Sequence, residues 1–459
     1  MRSTFLTLLL LILSTSTTFV YAHADAHAHQ QPHSHGLARR SQRDSAVIHI
    51  PLEKRSPAPS AHPLALIKSQ VSGLSRKYGK NVAAFRKNKP GRVNPDINGT
   101  VIDVPALDVI ANVTDALNAT MIRHDVGDLV GELLEGRSTS GTGSLTPTSD
   151  YGMWTGSIKI GTPGVDVRVN FDTGSADTVL NLNQGYDPSK SSTARKTNKS
   201  FTVRYADHSG EGGTIYNETV SFAGKKAKGQ AIGVPSWSSF AASDPGIVGM
   251  AFQSVSSFNR RPLLQTLRRY DSIPRAMFGV ALSRTASKAE LRIGGYNPSK
   301  IKSGNSINWV PVDNSGGFWT VTASKTNLAQ GSTSGSLGSR KLILDTGTTL
   351  IFGSTADVKQ LFNANNIEIS NQGDYVAGIY SGNTPPSLSF TIGGKTYSLS
   401  GDVMNMGQAS TGKYYVSIVG SDSLGLKSGE WLVGDTFFSK VYSVFDADRT
   451  RVGLAYGNF

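Results

Sequence analysis

The chain of 459 residues contains no cysteine, and histidine is almost absent from its main body. Eight of the nine histidines lie before residue 138, which leaves His208 alone in the remainder. A cysteine nucleophile is therefore excluded, a serine-histidine-aspartate triad would have to use His208, and a zinc site would lack its usual nitrogen and sulfur ligands. Carboxylates remain as the side chains for acid and base chemistry.

Long apolar runs are missing after the N-terminus. Residues 5–13 form a short apolar core behind Arg2 and lead to Ala22, a pattern typical of a signal peptide cleaved after residue 22. No later run is long enough for a membrane helix, and the C-terminus lacks the apolar tail of a lipid-anchor signal. We therefore expect a secreted, extracellular protein without a membrane anchor, and delivery to a vacuole is the less favoured alternative.

The basic charge of the chain is spread along its sequence. Residues 138–459 hold 30 basic and 22 acidic side chains, for a net charge of +8, and residues 1–137 add +5. Because these charges are scattered rather than arranged in a stripe, we expect general surface basicity and no binding to nucleic acid. Acidic polymers of a cell wall stay open as partners.

The tripeptide Asp-Thr-Gly occurs twice, at 172–174 and at 345–347, and each copy follows an apolar run. An apolar-apolar-glycine triplet comes after each copy, at 247–249 and at 432–434. One copy alone would be ordinary turn chemistry. The repeat of lead-in, tripeptide and triplet indicates a duplicated half-domain, with each aspartate where a buried strand ends and both carboxylates in one dyad.

With these motifs the chain resembles the pepsin-type aspartic endopeptidases that fungi secrete, over roughly residues 151–459. Besides both Asp-Thr-Gly motifs, the resemblance rests on four runs, at 156–163, 309–312, 431–438 and 444–446. It implies an all-β, bilobal fold with a duplicated six-stranded-type β lobe and a central cleft. It also implies a monomer that cleaves protein and peptide substrates at acidic pH, prefers apolar residues beside the scissile bond, is inhibited by pepstatin-type compounds, and needs no metal or cofactor.

The resemblance identifies Asp172 and Asp345 as the catalytic carboxylates. Two carboxyl groups about 3 Å apart share one proton, as in aspartic-protease dyads generally. One then takes a proton from water, and the other hydrogen-bonds the scissile carbonyl. By resemblance, the two threonines lock the loops together, the glycines allow close approach, and the following hydroxyl residues orient the carboxylates. These supporting residues are Thr173, Gly174, Ser175, Thr346, Gly347 and Thr348.

A third motif begins at Tyr205, between alternating strand residues, and predicts a hairpin. It resembles the flap of the family, in which Tyr205 and Asp207 would contact the substrate and exclude water. The family has glycines where this chain has Ala206 and His208. His208 is interpreted either as a solvated loop residue or as a group that adds positive charge beside the cleft below a pH of about 6.5. Val179 stands where the family often has a tryptophan that hydrogen-bonds the flap tyrosine, so the resemblance implies no such contact in this chain.

Residues 23–137 are predicted to be a propeptide that ends near residue 137. Within them, 54–92 hold ten lysines or arginines and no acidic residue. A basic arm for nucleic acid is the alternative interpretation. In a precursor of this family we expect the arm to cover the acidic cleft near neutral pH as an intramolecular inhibitor. Acid would release it when carboxylates of the body become protonated.

The predicted organisation is a signal peptide at 1–22, a propeptide at 23–137, an N-terminal lobe at 138–300 with the flap, and a C-terminal lobe at 301–459. About 320 residues in two lobes can bury enough apolar surface to stand without disulfides. Asn-x-Ser/Thr sequons mark candidate N-glycosylation sites at Asn98, Asn112, Asn118, Asn198 and Asn217.

Two other functions fit part of the pattern. A glycoside hydrolase also uses two carboxylates, but it places them about 5 to 10 Å apart and needs no duplicated Asp-Thr-Gly loops. A binding protein of the same fold without catalysis is the second alternative. Such relatives usually lack one aspartate or its glycine, and both sets are present here. Tight binding of pepstatin would distinguish the enzyme from the binding protein.

Overall fold

The computed structural model describes residues 63–88, 140–144, 146–147, 154–182, 184–204, 210–239, 244–283 and 288–459. All of them belong to one compact unit, Val47–Phe459. The predicted signal peptide and most of the predicted propeptide lie outside the described residues. None of the helices within the described ranges is long and apolar enough to cross a bilayer.

Short strands account for most of the regular structure in the described part of the chain. The first nine are β1 (Gly141–Ser144), β2 (Thr146–Pro147), β3 (Trp154–Ile160), β4 (Val165–Asp172), β5 (Thr178–Val179), β6 (Arg195–Arg204), β7 (Gly210–Phe222), β8 (Lys225–Ser238) and β9 (Gly246–Gly249). The next three are β10 (Met277–Ala281), β11 (Glu290–Ile293) and β12 (Asn308–Pro311). The others are β13 (Thr320–Gln330), β14 (Thr333–Leu337), β15 (Arg340–Leu344), β16 (Ile351–Gly353), β17 (Glu368–Asn371), β18 (Val376–Ser381), β19 (Ser387–Ile392), β20 (Lys395–Leu399), β21 (Asn405–Ser410), β22 (Lys413–Gly420), β23 (Glu430–Val433), β24 (Val441–Asp446) and β25 (Arg451–Tyr456).

Helices are few in the same ranges. The α-helices are α1 (Pro63–Asn88), α2 (Leu263–Arg269), α3 (Thr355–Ala364) and α4 (Asp435–Phe438). Single 3-10 turns lie at Pro188–Lys190, Gln253–Val255, Pro298–Lys300 and Gly401–Met404. Ser354 is the N-cap of α3: its hydroxyl accepts from the Asp357 N–H (3.1 Å) and so satisfies a free donor of the first turn.

The strands form three sheets, and the predicted all-β, bilobal fold is confirmed. One sheet has the strand order β2-β3-β4-β9-β5-β8-β7-β6, and a second has β17-β18-β22-β16-β23-β15-β13-β19-β20, with β14 on β13 and β21 on β22. The third, β1-β11-β10-β24-β25-β12, takes strands from both ends of the described body. It therefore joins the two larger sheets into one unit.

The pairing around each Asp-Thr-Gly motif repeats. In the first half β4 runs parallel to β9, and β5 runs antiparallel to β9. In the second half β15 runs parallel to β23, and β16 runs antiparallel to β23. The two apolar-apolar-glycine triplets lie on β9 and at the end of β23, so the structure agrees with the duplication that the sequence predicts.

An aromatic cluster packs where the third sheet meets the others. The rings of Phe278 and Phe445 stack at 4.7 Å, and Trp319 meets Phe445 edge-on at 5.2 Å. The Trp319 indole also donates to the Met250 carbonyl (2.9 Å), close to the first triplet. Each such ring contributes roughly 1.5–3 kcal/mol by leaving water. The cluster fixes the sheet ends that carry the aspartates.

Candidate active site

The two Asp-Thr-Gly motifs lie side by side at the ends of equivalent strands. Asp172 is the last residue of β4, and Asp345 directly follows β15. Asp172 is in register with Gly249 of the parallel strand β9. Both carboxyl side chains are buried, with 5% of Asp172 and 0% of Asp345 exposed. The sheets therefore bring two buried carboxyl groups to one place.

The two threonines tie these loops together. Thr173 Oγ1 donates to the Leu344 carbonyl (2.7 Å) and accepts from the Thr346 N–H (2.9 Å). In the same way, Thr346 Oγ1 donates to the Phe171 carbonyl (2.6 Å) and accepts from the Thr173 N–H (3.1 Å). These buried bonds are the contacts that the family resemblance implies, and they hold the position of each loop to that of the other.

Each carboxylate is oriented by one N–H group and one hydroxyl of its own loop. The bonds are Gly174 N–H to Asp172 Oδ1 (2.9 Å), Ser175 Oγ to Asp172 Oδ2 (2.5 Å), Gly347 N–H to Asp345 Oδ1 (2.9 Å) and Thr348 Oγ1 to Asp345 Oδ2 (2.5 Å). Donors to an ionised carboxylate favour its charged form.

The glycines leave room for the opposite carboxyl group. A Cβ atom on Gly174 would lie 2.6 Å from Asp345 Cγ, and one on Gly347 would lie 2.6 Å from Asp172 Cγ. Neither glycine has a positive φ, so the requirement is space rather than a left-handed backbone. An alanine at either position would push the two carboxyl groups apart.

An ammonium group lies between the two carboxyl groups. Lys77 Nζ, on α1, is 2.6 Å from Asp172 Oδ1 and 2.9 and 2.8 Å from the two oxygens of Asp345. The next residue, Tyr78, donates its hydroxyl to Asp345 Oδ2 (3.0 Å). Lys77 thus fills the space between the two carboxyl groups.

One face of α1 packs against the body. Ile67, Val71, Leu74 and Tyr78 recur at helical spacing, and each is at most 4% exposed. They share an apolar cluster with residues of the body that include Ala251, Val255, Phe318, Leu350, Tyr415 and Leu424. The helix is therefore held by apolar contact as well as by charge.

Polar contacts hold α1 on either side of Lys77. Gln70 exchanges two bonds with Thr349, donating to its hydroxyl (3.2 Å) and accepting from its N–H (3.3 Å). Asn88, the last residue of the helix, donates to the carbonyls of Ser254 (3.1 Å) and Ser256 (2.8 Å). These bonds fix the register that places Lys77 at the dyad.

The two aspartates have different acidities. Burial raises the pKa of Asp172 to about 6; the Lys77 charge opposes this rise, and the Asp345 charge adds to it. Burial also acts to raise the pKa of Asp345, but the Lys77 charge and hydrogen bonds from Asp172, Lys77 and Thr348 outweigh it, so this pKa lies below its usual range. Burial acts to lower the pKa of Lys77, and the two aspartate charges reverse this effect. The pair therefore titrates as a unit in which Asp172 takes up a proton first.

A third buried carboxyl group, Asp435, lies at the start of α4. Its N–H donates to the carbonyl of Thr348, the residue that orients Asp345 (2.7 Å). Asp435 is 3% exposed, and among the described residues neither of its side-chain oxygens has a hydrogen-bond partner. Burial raises its pKa well above the usual range, and the Asp345 charge adds to this effect. Asp435 is thus neutral under conditions in which an exposed aspartate is charged.

The predicted flap residues Tyr205 and Asp207, together with His208, lie outside the described residues. The predicted hairpin itself is present, since β6 pairs antiparallel with β7 as far as Arg204 and Gly210. Val179 is buried in a small apolar cluster of the same half.

Two of the five predicted glycosylation sites can be placed. Asn198 is exposed on β6, whereas Asn217 is half-buried on β7, which has a paired strand on each side. Asn98, Asn112 and Asn118 lie outside the described residues. Asn198 is therefore the more accessible of the two.

Lys77 lies within the basic arm predicted from the sequence, but no pattern singled it out, and the sequence did not predict the roles of Tyr78, α1 or Asp435. The available signal for α1 was the helical spacing of Ile67, Val71 and Leu74. In the described ranges, no group of three or more histidine, aspartate or glutamate side chains is arranged to hold a metal ion. The described site brings two buried carboxyl groups into contact with one ammonium group.

The comparisons with known proteins agree with this geometry. The family model described as eukaryotic aspartyl protease matches residues 153–456. The chain is 27% identical to secreted aspartyl protease 1 of Malassezia globosa over 395 residues, which covers 85% of this chain and 87% of the relative. It is 30% identical to an aspartic protease of Phaffia rhodozyma over 339 residues, covering 70% and 80% of the two chains. It is 31% identical to cathepsin D of Gallus gallus over 322 residues, covering 65% and 79%. Two buried aspartates on duplicated loops, within a matched segment of this length, place the chain in the family of the eukaryotic aspartyl proteases, the pepsin-like aspartic endopeptidases.

Proposed function

We propose that this aspartic endopeptidase is secreted as a zymogen and hydrolyses peptide bonds at acidic pH with Asp172 and Asp345. In this proposal residues 1–22 are a signal peptide, 23–137 a propeptide, and 138–300 and 301–459 the two lobes. The observation that carries the proposal is the position of Lys77, 2.6 to 2.9 Å from both carboxyl groups. While Lys77 is there, a water and a peptide carbonyl are excluded from the dyad.

In the closed state the charge of Lys77 makes the pKa of each carboxyl group lower than the same group would have in an open cleft without Lys77. Acid opens the cleft for this reason. Groups with a lowered pKa stabilise the closed state at higher pH, and this contribution is lost as the pH falls through their closed-state values. Asp172 takes up a proton near pH 6, and Asp345 only below the usual aspartate range. The ion pairs of Lys77 with the two carboxylates are therefore lost in two steps as the pH falls.

In the open enzyme, one carboxylate accepts a proton from a water molecule whose oxygen attacks the scissile carbonyl carbon. The protonated partner donates to the carbonyl oxygen and stabilises the charge that develops there. The leaving nitrogen then takes the proton that the first carboxylate accepted from the water, a hydroxyl of the tetrahedral intermediate returns a proton to the second carboxylate, and the C–N bond breaks, which yields a carboxyl group and an amine. Thr173 and Thr346 keep the two carboxyl groups at a fixed separation during these steps.

The substrates are proteins and peptides with apolar side chains near the scissile bond. The apolar face of α1 covers Phe318, Leu350 and Tyr415 of the body. When α1 leaves, these side chains become available to apolar side chains of a substrate. Pepstatin-type inhibitors would occupy the same surface, and the enzyme would work as a monomer.

The proposal is tested by expressing residues 23–459 and following self-shortening and cleavage of an unfolded protein from pH 7 to pH 3. We expect no cleavage at pH 7, and both processes to begin on acidification. Breaking a buried ion pair costs about 3–5 kcal/mol, so Lys77→Met should raise the pH of half-activation by about two units. Lys68→Met is the matched control, because Lys68 is an exposed lysine of the same helix.

Three results would contradict the proposal. The first is an Asp172→Asn variant that still cleaves the substrate, and the second is cleavage that pepstatin leaves unchanged. The third is a Lys77→Met variant with the same pH of half-activation as the Lys68→Met control, which would contradict the zymogen part and leave the endopeptidase part standing.

A further inference from the structure

Basic residues that lie far apart in the sequence meet on one side of the described body. The start of β8 packs against the segment around α2. Ser272 Oγ donates to the Lys226 carbonyl (2.5 Å), and Gln230 Nε2 donates to the Arg261 carbonyl (3.1 Å). Two neighbouring stretches of chain, 225–230 and 260–272, thus form one surface, which we call the basic face.

The basic face holds seven lysines or arginines and one acidic residue, Asp271. Asp271 pairs with Arg268 (3.0 Å). Burial and the charge of Arg269 both lower the pKa of Arg261, which shows that like charges lie close together. With seven basic side chains and one acidic side chain, the basic face has a net charge of +6. The basic side chains with exposed positions are Lys226, Lys228 and Arg269.

The chain between α1 and β1 has the opposite charge. Residues 93–137 hold eight acidic and two basic side chains, whereas 54–92 hold ten basic and no acidic ones. Residues 89–139 lie outside the described ranges. A stretch of this length reaches up to roughly 170 Å when extended, at about 3.3 Å per residue, so length does not limit where it lies.

Both points where this stretch joins the described structure border the basic face. At one end, Asn88 bonds the carbonyl of Ser256, and Ser256 Oγ accepts from the N–H of Arg260 (3.0 Å). At the other end, a Cβ atom on Gly141 of β1 would lie 3.2 Å from Lys225 Cγ. An acidic stretch thus begins and ends beside a surface of the complementary charge.

We propose that the acidic segment 93–137 docks on the basic face while it is attached to the body. The predicted propeptide would then have two contacts of opposite sign: Lys77 with the two aspartates, and segment 93–137 with the lysines and arginines of the basic face. Complementary charge of this kind sets where a segment binds and makes binding depend on salt. The docking does not require that the protein be a protease, so it can be tested separately from the proposed function.

The test uses residues 23–459 with Asp172→Asn, so that the chain stays intact, at pH 7. The readout is the rate at which an added glutamate-specific protease cuts after Glu132 and Glu135. The face variant carries Lys226→Glu, Lys228→Glu and Arg269→Glu. Its matched control carries the same change at three exposed lysines elsewhere, Lys288, Lys302 and Lys325. Because exposed ion pairs are individually weak, we expect the face variant to be cut roughly five to ten times faster and the control to be unchanged.

A charge swap makes the test specific. Adding Asp115→Lys, Asp125→Lys and Asp128→Lys to the face variant should restore slow cutting, because the two sets of charges then match again. Equal cutting of parent and face variant would overturn the proposal, and so would a swap that restores nothing.

Retention of the uncut chain on a sulfated polysaccharide provides the second measurement. If the segment occupies the basic face, the face variant and its matched control, which have the same net charge, elute at the same salt concentration. If the control elutes at clearly higher salt than the face variant, the face is open and an external anionic polymer is its partner, which also overturns the proposal.

Discussion

The two Asp-Thr-Gly loops make the same hydrogen bonds but have different neighbours. In both, the carboxylate accepts from the N–H two residues later and from the hydroxyl three residues later. Tyr78 and two of the three Lys77 bonds, however, go to Asp345. Burial raises the pKa of Asp172, whereas the pKa of Asp345 is lowered despite burial by the Lys77 charge and by hydrogen bonds from Asp172, Lys77 and Thr348. Duplication gives a symmetric frame, by which we mean two loops with equivalent hydrogen bonds. Lys77 and Tyr78, which lie outside the repeat, make the surroundings of the two aspartates different.

Asp177 and Asp435 are another pair of buried carboxyl groups, one in each half, and they differ more. Asp177 accepts from Ser256 Oγ (2.6 Å) and from the N–H groups of Ser257 (2.7 Å) and Phe258 (3.3 Å). Asp435 is 3% exposed, against 9% for Asp177, and its oxygens have no partner in the described structure. A buried carboxylate with donors is stabilising, and one without donors is costly unless it is protonated. Burial accordingly raises the pKa of Asp435 well above its usual range.

The largest expected effect tests whether the two aspartates are equal in catalysis. Asp172→Asn and Asp345→Asn each remove the shared proton system, so we expect each to lower kcat/KM about a thousandfold. The double variant should be little worse than either single one, because the residues act as a unit. Turnover of an unfolded protein substrate at acidic pH measures this. A single variant with more than about a tenth of normal activity would show that one aspartate is dispensable.

The symmetry of the frame can be broken at either threonine. Thr173→Val and Thr346→Val each leave a buried N–H and a buried carbonyl without a partner, so we expect each to lower the free energy of unfolding by about 2–3 kcal/mol. Denaturant unfolding at pH 7 gives the values. Thr178→Val is the control, because the buried Thr178 hydroxyl has no partner in the described structure, and its loss should cost nothing. If the losses of unfolding free energy in Thr173→Val and Thr346→Val differ by more than about 1 kcal/mol, the symmetric frame is contradicted.

Opposite changes are expected at the two further buried carboxyl groups. Asp177→Asn replaces an accepting oxygen with an NH2 group that faces the donors Ser256 Oγ and Ser257 N–H. This change should lower the free energy of unfolding by about 1–2 kcal/mol. The raised pKa of Asp435 means that its contribution to stability is full below the unfolded pKa of about 3.9 and is lost as the pH rises through the folded value. Asp435→Asn should therefore make the protein more stable at neutral pH and leave it unchanged near pH 3.

Unfolding curves of both asparagine variants between pH 3 and pH 8 test this contrast. The wild-type chain provides the reference at each pH. If Asp435→Asn lowers stability at neutral pH, Asp435 has a partner that the hydrogen bonds among the described residues do not include.

The fold and the dyad followed from the sequence because both rest on local signals that occur twice. A buried strand that ends at Asp-Thr-Gly and a later apolar-apolar-glycine triplet determine the pairing of β4 with β9 and of β15 with β23. Lys77 has no such signal. Ten basic residues lie in its stretch of sequence, and only the register of α1, set by tertiary contacts such as Gln70 with Thr349, places one of them at the dyad.

The basic face and Asp435 could not be predicted for the same kind of reason. Lys226 and Arg269 belong to elements that are separated in sequence and meet only when β8 packs on α2. Burial of Asp435 depends on the fold of the whole second half, and its motif, Gly434 followed by an aspartate, looks like an ordinary helix start. Charge and burial that arise from tertiary packing leave no local pattern.

The smallest expected effect concerns Tyr78, whose hydroxyl bonds Asp345. Tyr78→Phe keeps the ring contact with Phe318 (5.1 Å) and removes one bond to a charged group, worth about 1.5 kcal/mol. The closed state loses that stabilisation, so less acid is needed to open it. The pH of half-activation should rise by about one unit, below the shift for Lys77→Met. Because the bond favours the ionised form of Asp345, its loss should also raise the pKa of that group and narrow its difference from Asp172. An unchanged half-activation pH would mean that the Tyr78 hydroxyl does not stabilise the closed state.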